Sequence, residues 1–130
     1  MSVIYTVLPF EESKRAELKA WLGDVYKASA SQGTEPTFAE LQSAISQAVD
    51  ELGFTVEYLE SDTQWEASIH HNNSAFSSFE VTMPTRNAKF VFSGDVSVLE
   101  AVLQQLPTHC GTFMILANGE PHVLVTAQGN

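Results

Sequence analysis

The sequence predicts an α+β fold: a mostly antiparallel sheet of about six to seven strands with three helices packed on one face, in the order β-α-α-β-β-β-β-α-β-β. Three observations predict it. Two apolar runs within residues 111–126 are joined by Asn118-Gly119, the dipeptide best suited to the tight turn between antiparallel strands. Residues 54–92 hold successive β-type runs separated by short polar turns, and strands joined that way pair antiparallel. Three further stretches carry apolar residues at three- and four-residue steps, and such stripes must be buried against a sheet or one another. With 130 residues, 44% of them hydrophobic and 10% aromatic, the chain is read as one domain, 1–130, large enough for a core and too small for two.

In chain order, the β-branched run at residues 3–8 reads as a first strand. Pro9 ends it and suits the first turn of a helix, with Glu11 and Glu12 where the helix dipole favours negative charge. Leu18, Trp21, Leu22 and Val25 mark that helix to about Lys27, and Gly23 is a point where it breaks or bends. The small-residue stretch 28–36 reads as a mobile connection. Thr37 with Glu40 forms a capping box before the stripe Phe38, Leu41, Ile45, Ala48 and Leu52, and Gly53 closes this second helix in the left-handed conformation.

Strands follow at 54–59, 64–70, 75–83 and 89–92. Phe54, Val56 and Tyr58 share one face, as do Trp65, Ala67 and Ile69, while Glu57, Glu66 and Glu80 point the other way. The Ser77-Ser78 step between Phe76 and Phe79 interrupts the alternation and suggests a bulge or bend. Ser97 and Glu100 read as a second capping box, opening a helix with the stripe Val98, Leu99, Val102, Leu103 and Leu106 that Pro107 ends. The closing hairpin is apolar on both sides: Phe113 and Ile115 point one way, Met114 and Leu116 the other. It is therefore either inside a sheet covered on both faces or covered by a second chain, as in a homodimer through this hairpin.

Charge bears most directly on function. The net charge is −10, and residues 1–27 contribute none of it, because Lys14, Arg15, Lys19 and Lys27 balance Glu11, Glu12, Glu17 and Asp24. Residues 28–85 contain no lysine or arginine but carry Glu35, Glu40, Asp50, Glu51, Glu57, Glu60, Asp62, Glu66 and Glu80. Such a field repels nucleic acid and anionic membranes and speeds the approach of a basic protein. The expected partner-binding residues are Glu57, Glu60, Asp62, Glu66 and Glu80, an acidic platform on the sheet face that the helices leave open. The alternative is a small-ligand protein or enzyme with a pocket near Tyr58, Trp65 and His70.

Other chemistry finds little support in the spacing. His70, His71, His109, Cys110 and His122 match no zinc signature, and neighbours on a strand point apart, so no metal and no cofactor are expected. Cys110 beside His109 lacks the positive surroundings that activate a thiolate, so a buried structural thiol is expected. The lone cysteine and the lack of a leader or a spanning apolar run point to the cytoplasm. In element order and charge, the chain resembles type III secretion chaperones and bacterial toxin-neutralising immunity proteins. That resemblance implies a binding protein of inhibitor, immunity or chaperone type rather than an enzyme.

Overall fold

A computed structural model describes the backbone of residues 3–60, 64–71, 74–82 and 90–129. Asp62 lies outside the described residues, as do the side chains of Trp65 and Glu80 and the strand ends expected at Met83 and Lys89. The fold is α+β. Strands β1 (Ile4–Pro9), β2 (Thr55–Glu60), β3 (Gln64–His71), β4 (Ser74–Thr82), β5 (Phe90–Ser93), β6 (Thr112–Ala117) and β7 (Glu120–Thr126) form one antiparallel sheet in the order β2-β3-β4-β5-β1-β6-β7. The N-terminal strand is thus central, between β5 and β6. The helices are α1 (Arg15–Leu22), α2 (Phe38–Leu52) and α3 (Val96–Gln105).

Helix α2 forms as its sequence dictates. The Thr37 hydroxyl accepts from the Glu40 amide at 3.1 Å, the Glu40 carboxylate accepts from the Thr37 amide at 2.9 Å, and Gly53 turns the chain out at φ 78°. Its buried stripe, Leu41, Ala44, Ile45, Ala48 and Val49, packs with Val98, Leu99, Val102 and Leu103 of α3 on a sheet face made by Val7, Ala67, Ile69, Phe92, Phe113 and Ile115. Each large side chain buried there contributes about 1.5–3 kcal/mol.

Four expectations are corrected. Helix α1 does not share the face of α2 and α3: Leu22, with Leu18 and Val25 partly buried, packs against Phe10, Met114 and Leu124 on the other side. The cause is the doubly apolar β6, whose Met114 face needs cover as much as its Phe113 face. This chain supplies both covers. Pro9 belongs to β1, paired with Phe113, and α1 starts only at Arg15 after a 3₁₀ turn at Glu12–Lys14; Gly23, at φ 56°, ends it. Asp95, not Ser97, caps α3, its carboxylate accepting from the Ser97 amide at 3.0 Å and hydroxyl at 2.7 Å, because a carboxylate also complements the helix dipole. Residues 28–36 are anchored: the Gly33 amide donates to Phe10 O at 2.7 Å, the Thr34 amide to Cys110 O at 2.8 Å and the Ser31 amide to Thr112 Oγ1 at 3.0 Å.

The expected break in β4 falls beside Ser77-Ser78. Ile69 pairs with Ser77 and His70 with Ala75, which leaves Phe76 as the extra residue of a bulge. Strand β7 is an edge of the sheet rather than an interior strand. Lys27 Nζ donates to its Leu124 carbonyl at 3.4 Å, satisfying one edge acceptor. No helix among the described residues is long and apolar enough to cross a membrane.

Candidate functional site: the acidic end of the sheet

Strands β2 and β3 end the sheet opposite β7, with β2 as the edge. Tyr58 fixes which way they face. Its hydroxyl lies 2.5 Å from Ser46 Oγ and donates to Gln42 O at 3.2 Å, so Tyr58 and Val56 turn toward α2 while Thr55, Glu57 and Leu59 turn away. On β3, Ala67 and Ile69 are fully buried under α2 and α3, and Glu66, Ser68 and His70 therefore share with Glu57 the opposite face, which α1 covers at its β6–β7 end.

This places Glu57 and Glu66 on the sheet face away from α2 and α3, with Leu59, 55% exposed, directly opposite Glu66 in register. Glu80 pairs with Glu66 from the next strand. Glu60 is exposed at the end of β2 but falls with Val56 and Tyr58 in the alternation, so it stands apart from that face. The remaining described acids of the lysine-free segment do not join it. Glu35 precedes α2, Glu40 lies in its first turn, and Asp50 and Glu51 lie in its last turn, where Gln105 Nε2 donates to Glu51 at 3.0 Å.

Of the alternative pocket of Tyr58, Trp65 and His70, the described side chains are those of Tyr58 and His70. Tyr58 and His70 occupy opposite faces, because Tyr58 pairs with Ala67 while His70 pairs with Thr55, one step out of phase. His70 instead stands 3.7 Å from the Glu57 carboxylate, and its buried Nε2 makes no hydrogen bond among the described residues. A cavity of about 460 Å³ lies elsewhere, between the first half of α2 and the chain end at Gln128 and Gly129.

Cys110 is fully buried, and burial together with the nearby Glu40 charge pushes its thiol up to about 11. A neutral, buried thiol is not a nucleophile at neutral pH. Sequence reading does not anticipate that Glu40 reaches His109, 69 residues away, at 2.7 Å from Oε2 to Nε2. The available signal is in the capping box, which engages one carboxylate oxygen of Glu40 and leaves the other to find a partner. No family model matches the chain, and no curated protein and no solved structure matches it either.

Proposed function

We propose that this chain is a binding protein whose acidic sheet end, β2 to β4, recognises a basic protein partner, in the manner of an inhibitor, an immunity protein or a secretion chaperone. The observation that carries the reading is the pairing of charge with apolar area. Glu57 and Glu66 flank the exposed Leu59 on a face free of α2 and α3, inside a 58-residue segment without lysine or arginine, residues 28–85. Like charges on neighbouring strands repel, and Glu57 and Glu66 are diagonal neighbours across β2 and β3. A lysine or arginine brought by a partner relieves that repulsion, and Leu59 adds desolvated contact that charge alone does not provide. The competing small-ligand reading loses support with the separation of Tyr58 from His70.

Native mass spectrometry of the protein purified from its own source tests this. The expected result is a complex with a protein of high isoelectric point. That complex should be lost in Glu57→Gln/Glu66→Gln and retained in Glu17→Gln/Glu120→Gln, which removes equal charge elsewhere. A bound small molecule, the bare chain, or equal loss in both variants contradicts the proposal.

A further inference from the structure

A separate constellation sits where the start of α2 meets the 3₁₀ turn Thr108–Cys110, and we propose that Glu40, His109 and Cys110 form a binding site for a zinc ion. Each offers one ligand atom, and these atoms lie within 4.8 Å of one another. His109 and Cys110 are sequence neighbours, which on a strand would point them apart. On a tight 3₁₀ turn they converge, with His109 Nδ1 3.9 Å from Cys110 Sγ.

The donor set selects the metal. Sulfur and imidazole nitrogen with one carboxylate suit zinc, whereas magnesium and calcium take oxygen alone. Zinc–ligand bonds of about 2.0–2.3 Å put neighbouring ligands of a tetrahedron roughly 3.3–3.8 Å apart. The Nδ1–Sγ separation already approaches that range. One ion takes only one nitrogen of an imidazole, and Glu40 Oε2 now lies 2.7 Å from the other one, Nε2, so His109 turns out of that contact until Nδ1 stands at such a distance from both Sγ and Oε2. The His109 side chain is 66% exposed and free to make that adjustment.

The surroundings hold the ligands in place. The Thr37 amide fixes the other oxygen of Glu40 at 2.9 Å. The Cys110 amide donates to Pro107 O at 2.9 Å, its carbonyl accepts from the Thr34 amide at 2.8 Å, and the Thr34 hydroxyl donates to His109 O at 3.3 Å. One thiolate and one carboxylate balance the two positive charges of the ion, and exposed His109 leaves a way in and a fourth position for water.

Metal-free full-length protein titrated with zinc, and separately with cobalt(II) as a spectroscopic probe, tests the site. The expected result is one equivalent bound, with one thiol proton released to the buffer and a thiolate-to-cobalt charge-transfer band in the near ultraviolet. Cys110→Ser and His109→Ala should each lower zinc affinity at least about 100-fold, the upper end of the loss caused by removing even an outer partner. His70→Ala should leave it unchanged. Because His109 is exposed, its replacement keeps the fold, which circular dichroism confirms. Absence of one-equivalent binding, a cobalt spectrum without the thiolate band, or affinity that survives both His109→Ala and Cys110→Ser overturns the proposal.

Discussion

Gly33 illustrates how much of this molecule is decided by single positions. A Cβ there would stand 2.2 Å from Thr112 O and 2.7 Å from Phe10 N, both backbone atoms of the sheet region, so the loop 28–36 lies flat only because the residue is glycine. Gly33→Ala should lower stability by about 3 kcal/mol, the upper range for forcing volume into a packed site, as read from urea unfolding. An unchanged midpoint would mean the loop is not docked. Arg15 holds the neighbouring segment. It donates twice to Glu12 at 2.6 Å, to the Tyr26 hydroxyl at 2.8 Å and to the Ala30 carbonyl, and lies over the Phe10 ring. Its hydrogen bonds keep the Glu12 carboxyl below the ordinary 4.5. A depressed carboxyl contributes stability that is complete above pH 4.5 and is lost as pH falls through the lower folded value. The drop in thermal midpoint between neutral and strongly acidic buffer should therefore be smaller in Glu12→Gln than in the parent, and equal drops would count against this pair.

At the scale of elements, the division of helices between two faces is what makes the C-terminal hairpin self-sufficient. Leu22→Ala on α1 should cost about 2–4 kcal/mol because it opens a void over Met114 and Leu124. Trp21→Ala one residue earlier, 47% exposed, should change stability by no more than about 0.5 kcal/mol. Comparable losses at both positions would mean α1 is not packed as described. The end of the chain is equally structural: the Gln128 and Gly129 amides donate to Gln104 O and Leu106 O, carbonyls that the terminus of α3 leaves without helical partners. Features set by neighbouring residues were legible in the sequence. The Thr37–Glu40 box, the Gly53 exit, the Asn118-Gly119 turn and the Pro107 stop all depend on a few consecutive side chains. The side on which α1 packs was not, because β6 is apolar on both faces and a helical stripe does not say which face it will cover. Nor was the insertion of β1 between β5 and β6, which depends on pairings across nearly the whole chain.

For the whole molecule, the same distinction governs the functional reading. Alternation along β2 and β3 was enough to put Glu57 and Glu66 together and opposite Tyr58, and charge counting was enough to find the segment without cations. The wider platform was not deducible, since α2 carries Glu40, Asp50 and Glu51 away from that face and the turn of Glu40 toward His109 is a long-range contact. What remains is a compact cluster with one exposed leucine at its centre, within a strongly negative overall field. Such a field accelerates association about 10- to 1,000-fold at low salt and is screened beyond about 8–10 Å near physiological ionic strength. The most direct measurement is the association rate constant with the proposed basic partner across a salt series, for the parent chain and for Glu57→Gln/Glu66→Gln. The account predicts that the parent's rate falls at least about tenfold from low to high salt and that the variant begins lower and falls less steeply. A rate indifferent to salt and identical in the two proteins would contradict it.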